Sequence, residues 1–171
     1  MAELIEPSRE LYAAWLEAHD EWGAGAHEDG FGLRPSDDVR SILGFRAWVD
    51  RLIAESMRAA MEDERARCVY RWIVEDGRVL GGIALRHGAE QVGNVGHIGY
   101  GIRPSARRRG LGTWALGQIL NEAQNLGMER VLVVCASDNI ASARMIERQG
   151  GVLERTEQTE HGLACRYWID L

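Results

Sequence analysis

The stretch Gly96-His97-Ile98-Gly99-Tyr100-Gly101-Ile102-Arg103-Pro104-Ser105-Ala106-Arg107-Arg108-Arg109-Gly110-Leu111-Gly112 constrains this chain more than any other. It reads as a strand, a short basic loop and the start of a helix. Glycine inside a strand is unfavourable unless another group must approach the backbone closely, and three glycines punctuate this one. Pro104 ends the strand because it has no N–H to give a ladder. Gly110 and Gly112 then lead into an apolar-periodic helix. Unpaired amides at a helix N-terminus, the positive end of its dipole and the adjacent Arg107, Arg108 and Arg109 form an anion site suited to phosphate. The segment predicts a ligand lying along a strand with its phosphates on the following turn. A solvated charge cluster is the alternative for the arginine run, and the flanking glycines and proline favour the phosphate site.

The rest of the composition narrows the partners. Formal net charge is -6, yet Arg103 and Arg107 to Arg109 stand close together. A duplex-binding protein spreads basic charge over a face. An acidic chain with one tight basic spot predicts a holder of one compact polyanion and no nucleic-acid partner. No apolar run approaches the ~18 residues of a spanning helix, so no membrane contact is expected. The N-terminus, Met-Ala-Glu-Leu-Ile-Glu-Pro, lacks the basic and apolar regions of a secretion signal, and a cytoplasmic location is the expectation. Cys68, Cys135 and Cys165 are odd in number and lack paired spacing, which predicts reduced thiols and no metal. Cys135, inside an apolar run, reads as inert core.

Taken in order, Glu3 to Glu6 predicts a short strand stopped by Pro7. Ser8 caps a helix from Arg9 to Glu21. Gly23 to Pro35 reads as a loop rich in glycine and acid. Ser36 or Asp37 opens a second helix that reaches toward Met61. From Cys68 the pattern turns to β-branched and aromatic residues, with strands at Cys68–Val74 and Val79–Arg86 joined by the hairpin turn Glu75-Asp76-Gly77-Arg78. After the opening stretch come a helix from Leu111 to Leu126 stopped by Gly127, an unbroken apolar strand from Val131 to Ala136, and a short helix from Asn139 to Arg148. Strands at Val152–Arg155 and Leu163–Ile169 close the chain. The order β-α-α-β-β-β-α-β-α-β-β predicts a mixed α/β fold with a mostly antiparallel central sheet flanked by helices. Its one strand-helix-strand crossover is parallel. The length fits one domain, 1–171.

The order Arg107-Arg108-Arg109-Gly110-Leu111-Gly112, after a proline-ended strand and before an amphipathic helix, resembles the acyl-CoA signature of the GNAT N-acetyltransferase superfamily. Asn139-Ile140-Ala141-Ser142, followed by Gly150-Gly151, is similar to the family's second element, an Asn-x-x-Ser helix with a closing glycine. The resemblance covers roughly Cys68 to Leu171 and is closest to a bacterial subgroup of predicted acetyltransferases. It implies a GNAT-like fold in which 68–171 is an acyl-CoA-binding core and 1–67 a helical, acceptor-side flank. It implies acetyl-CoA as cosubstrate and transfer of its acetyl group to a primary amine in a ternary complex; the resemblance brings no acceptor with it, and a small-molecule amine is the expectation. On the same basis, the amides of Arg108 to Gly112 and Thr113 take the CoA pyrophosphate. Tyr100, Gly101 and Ile102 pair with the pantetheine arm like an extra strand, and Asn139 and Ser142 lie beside it. Acyl transfer needs such an in-line donor, hydrogen bonds at the developing oxyanion and a base for the ammonium.

Two departures bear on the chemistry. Many family members place a tyrosine seven residues after the asparagine to protonate the leaving thiolate, and here Ile146 stands there. The family often uses a glutamate on the central strand as base, and no acid lies between Gly96 and Ile102. His97 is the nearest titratable group and is either a general base or a structural histidine at a strand start. Tyr100 is either an acid or base, or a packed aromatic. Glu21, Glu28, Asp29, Asp37 and Asp38 form an acidic mouth for a cationic amine or are solvated loop charge. The alternatives for function are a peptide N-terminal or lysine acetyltransferase and a non-catalytic acyl-CoA-binding domain. A two-fold homodimer is the usual assembly for a chain of this kind.

Overall fold

The computed structural model describes residues 1–23, 29–60, 67–87, 93 and 95–171. Met61 and Glu28, named above, lie outside them. The chain forms β1 (Glu3–Ile5), α1 (Tyr12–Trp22), α2 (Ile42–Ala60), β2 (Arg67–Glu75), β3 (Arg78–His87), β4 (Ile98–Ile102), α3 (Leu111–Asn125), β5 (Arg130–Ala136), α4 (Ile140–Arg148), β6 (Val152–Thr159) and β7 (Gly162–Asp170). This is the predicted order. A short 3-10 turn, Arg9–Leu11, precedes α1, with the Ser8 hydroxyl accepting from the Glu10 amide.

One boundary differs for a clear local reason. The second helix begins at Ile42 and not at Ser36 or Asp37. The Asp38 carboxylate captures the amides of Arg40 and Ser41, holding 38–41 as a turn, and Ser41 then caps the helix through Gly44 N–H. Short acidic side chains compete with helical hydrogen bonding in this way. The sixth strand is longer than expected, reaching Thr159, because its polar residues pair with β7 through Thr159↔Gly162.

The seven strands run in the order β1-β2-β3-β4-β5-β7-β6. All neighbours are antiparallel except β4 and β5. The β2–β3 turn places Asp76 and Gly77 at φ of 50° and 75°, as a tight two-residue hairpin requires. One sheet face packs on α3 and α4 through Ile83, Leu85, Ile98, Leu116, Ile119, Val133 and Ile146. The other packs on α1 and α2 through Trp15, Phe31, Phe45, Trp48 and Trp72. Burying such side chains supplies about 1.5–3 kcal/mol each and holds both helical layers on one sheet.

The feature that positions the site is a split in the sheet. The β4–β5 pairing holds at Ile98↔Val133. Beyond it the strands diverge, and the edge of β4 from Gly99 to Ile102 has no partner strand. The apex is pinned by His97. Its N–H donates to Leu132 O at 2.7 Å, and its Nδ1 accepts from Leu132 N–H at 2.8 Å. A side chain thus supplies the acceptor that a neighbouring carbonyl would give in a regular ladder.

Candidate active site

The split opens into a cleft of about 680 Å³, within the range of small-molecule sites. Ile98, Gly99 and Tyr100 line one wall, Val134, Cys135, Ala136, Asn139 and Ser142 the other, and residues 157–164 of the β6–β7 hairpin the outer side. Asp29 and Arg86 border it from the α1/α2 face.

At one end of the split lies the turn before α3. Arg108 and Gly110 adopt left-handed φ of 62° and 80°. The first helical bond runs from Trp114 N–H to Gly110 O, and among the described residues the amides of Arg108 to Thr113 donate to no backbone carbonyl. Alternating handedness with unpaired amides makes a concave anion cradle at a positive helix end. The side chains contribute less charge than the sequence suggests. Arg109 pairs with Glu75 at 2.6 Å and Arg107 Nε donates to Ile102 O at 2.9 Å. Arg103 is 3% exposed and pairs with Glu17 at 2.8 Å and with Glu21, so it belongs to the α1 interface and not to a phosphate site.

At the other end, the Tyr100 hydroxyl is buried with no partner of hydrogen-bond geometry. Burial raises its pKa well above the usual phenol value, and the neighbouring Ser142 side chain opposes that only partly. A buried polar group without a partner is uncommon and marks a place where something else binds. Asn139 caps α4, its Oδ1 accepting from Ser142 N–H at 3.1 Å, which leaves the amide nitrogen as the donor it presents to the cleft. Ser142 is itself buried. Cys135 lies in the apolar strand as expected, yet it also borders the cleft, and burial pushes its thiol up to about 11.

The structure therefore brings Tyr100, Asn139 and Ser142 into one cleft. It places Gly101 and Ile102 on the open β4 edge leading from there to the cradle at Arg107 to Thr113. His97 stands apart from the cleft lining. Burial and the nearby His87 and Arg86 charges lower its pKa. Ile146 is sealed in the core and does not reach the cleft lining.

Two sequence expectations change their physical reason. The close neighbours of the strand glycines are parts of this chain. A Cβ on Gly101 would meet Asp29 O at 2.8 Å and the Trp22 ring at 3.3 Å, and one on Gly82 would meet Phe31. Of the acidic group, Glu21 bonds Arg103 and Ser105, Asp37 bonds Arg51 and Asp38 holds its own turn. Asp29 borders the cleft. Sequence reasoning missed Arg86 altogether, since a lone arginine at a strand end carries no motif. Among the described residues no group of three metal-ligating side chains occurs, and no helix is long and apolar enough to cross a membrane.

The comparisons with known proteins agree with this geometry. Residues 35–152 match the family described as the acetyltransferase (GNAT) domain. None of the curated proteins matches the sequence. Among solved structures, the chain is similar to the ribosomal L7/L12 alpha-N-protein acetyltransferase RimL in complex with coenzyme A, with 18% identity, a TM-score of 0.75 and coverage of 99% of this chain and 94% of that one. RimJ of Mycobacterium smegmatis, in complex with a CoA disulfide, gives 17%, 0.75, 99% and 81%. The microcin C7 self-immunity acetyltransferase MccE, in complex with acetyl-CoA and AMP, gives 14%, 0.72, 99% and 92%. At these identities the likeness is one of fold. With the domain match covering more than half of its length, the chain belongs to the GNAT family of acetyl-CoA-dependent N-acetyltransferases.

Proposed function

We propose that this chain moves the acetyl group of acetyl-CoA to a primary amine by direct transfer, with both substrates held in the cleft at once. The observation that carries the reading is the open edge of β4 running from the buried, partnerless Tyr100 hydroxyl to the unpaired amides before α3. The amides of Arg108 to Thr113 hold the pyrophosphate. The backbone of Tyr100, Gly101 and Ile102 pairs with the pantetheine amides, and Asn139 steadies that arm with its side-chain nitrogen. Residues 1–67 form the acceptor-side flank and 68–171 the acyl-CoA core of one domain.

The chemistry requires three proton and charge events. The ammonium loses one proton to a base, the new carbon–nitrogen bond forms as the carbon–sulfur bond breaks, and the second proton shed by the attacking nitrogen balances the one the thiolate takes up. Tyr100 is the donor for the last event by position, its hydroxyl being buried at the β4 edge of the cleft. It takes from β4 the role that Ile146 cannot fill from α4. His97 lies outside the cleft lining with Nδ1 held by Leu132 N–H, so a proton from the amine reaches it only through water and at Nε2. A thiol pushed up to about 11 makes Cys135 a poor nucleophile, which favours direct transfer over an acyl-enzyme route.

A small-molecule amine is the first reading for the acceptor, supported by the limited cleft volume between Asp29 and the β6–β7 hairpin. A protein N-terminus is the second, favoured by the likeness to RimL and RimJ. Release of free thiol from acetyl-CoA across a panel of amines and short peptides tests the proposal, with the product mass confirming the site. Tight CoA binding with no amine-stimulated release would overturn it.

A further inference from the structure

Buried cations in this protein are matched by carboxylates. Arg51 pairs with Asp37 and Glu55, Arg71 with Glu122, Arg103 with Glu17 and Glu21, and Arg166 with Glu154 and Glu157. This is the expected pattern, since a desolvated charge without a counter-charge is costly. Arg86 departs from it. It is half-buried and lines the cleft, yet among the described residues it makes no ion pair. Among the described residues its guanidinium makes one hydrogen bond, a long contact from Nη1 to Gly96 O at 3.5 Å.

Its position is fixed by the strand beneath it. A Cβ on Gly99 would lie 3.1 Å from Arg86 Nη2 and 3.3 Å from Nη1. The guanidinium therefore rests on the Gly99 backbone, one residue from Tyr100, on the face of β4 that Asp29 and Trp22 also approach. That is the α1/α2 face, opposite the packed side chains of Ile98, Tyr100 and Ile102. A planar fork of donors, partly desolvated and lacking a carboxylate, is suited to a bidentate oxyanion.

We propose that Arg86 is a specificity-determining residue that binds an oxyanion, a carboxylate or a phosphate, carried by the acceptor amine. The inference rests on the acetyl-transfer reading of the same cleft. The acceptor is then an amine with an anionic group near it. Asp29 and Glu160 on the cleft lining supply charge for its ammonium end.

The test uses matched acceptors that differ only in the anion: amino acids against their carboxamides, O-phosphoethanolamine against ethanolamine, and short peptides with Glu or Gln in second position. Each is assayed for acetyl transfer and also titrated calorimetrically into the CoA-loaded protein. The anionic member is expected to lead by roughly 10- to 100-fold, the weight of a charged hydrogen-bonded pair. The pair with the larger ratio identifies carboxylate or phosphate. Arg86→Gln brings the ratio to about one, and Arg86→Lys restores part of it. Gly99→Ala keeps the charge but displaces the fork, and it lowers the ratio without a change of charge. Equal use and equal binding of the paired compounds by the wild-type protein, or an unchanged ratio in folded Arg86→Gln, overturns the proposal. If no amine is acetylated, the transfer reading fails, and the binding titrations still decide the role of Arg86.

Discussion

The Glu21 carboxylate accepts hydrogen bonds from both the Arg103 guanidinium and Ser105, so α1 grips the turn that leads into the phosphate cradle. Burial pushes the Glu21 pKa up, but the bonds from Ser105 and Arg103 outweigh it and hold the carboxyl below its usual range. A depressed carboxylate pKa gives stability that is present above the ordinary value of 4.5 and is lost as pH falls through the folded value. Glu21→Gln should cost about 2 kcal/mol at neutral pH, less than a fully orphaned buried pair because Glu17 still faces Arg103. Urea denaturation of wild type and variant should show this gap closing in acid. A gap independent of pH would mean that the carboxylate charge is not what holds the turn.

Tyr100→Phe separates chemistry from folding. Among the described residues the hydroxyl makes no hydrogen bond of normal geometry and has the Ser142 side chain beside it, so its removal should change stability by less than about 1 kcal/mol. As proton donor to the thiolate it contributes on the order of 10²-fold or more to kcat. The variant should lose that factor with little change in the KM for acetyl-CoA. Full kcat in Tyr100→Phe would remove Tyr100 from the mechanism.

His97 tests the apex of the split. Burial lowers its pKa, so its contribution to stability is full above the ordinary 6.5 and falls as pH drops below it. His97→Ala orphans Leu132 N–H and should cost about 1–3 kcal/mol, and His97→Asn should recover much of this by returning an acceptor. Thermal midpoints at neutral and mildly acidic pH provide the check. Wild type should lose stability on acidification more steeply than His97→Asn, and parallel curves would refute the assignment.

Gly110 and Gly150 share a left-handed backbone, at φ of 80° and 85°, with open space where a Cβ would sit. Alanine at either position should cost about 1–2 kcal/mol. Only Gly110→Ala disturbs the cradle, and it alone should raise the KM for acetyl-CoA, by roughly tenfold for the loss of about one charged hydrogen bond. Steady-state kinetics at saturating acceptor distinguish the pair. An equal rise in both would show a general loss of rigidity and no special role for the turn.

The order of elements was readable because each carried its own local signal: the apolar run at Val131–Ala136, the Asp76-Gly77 turn, Gly127 and Gly150 after helices. The start of α2 was not, since Asp38 binding its own turn looks in sequence like a helix cap. The extent of β6 was hidden by its polar residues, which face solvent on both sides and lack the alternation that marks a half-buried strand. In the site, the turn at Arg107 to Gly112 was visible from its glycines and arginines, and Asn139 was singled out by the family resemblance alone. The neutralisation of Arg103 by Glu17 and Glu21 did not, because those partners lie 86 and 82 residues away. Arg86 was invisible for the same reason, since what sets it apart is that no carboxylate pairs with it among the described residues.

The narrow β4–β5 contact also divides the protein as a folding object. Strands β1 to β4 and strands β5, β7 and β6 are two locally wound antiparallel units, joined in the sheet at Ile98↔Val133 and by the two bonds of His97 to Leu132. The antiparallel ladders within each unit run over several residue pairs, whereas the seam rests on one ladder pair and the His97 bonds. Each unit thus has the character of a separate cooperative block, with the amides of His97 and Leu132 reporting when the two become one. Native-state hydrogen exchange at those amides measures that step directly. The cleft thus opens where the two blocks are least firmly joined.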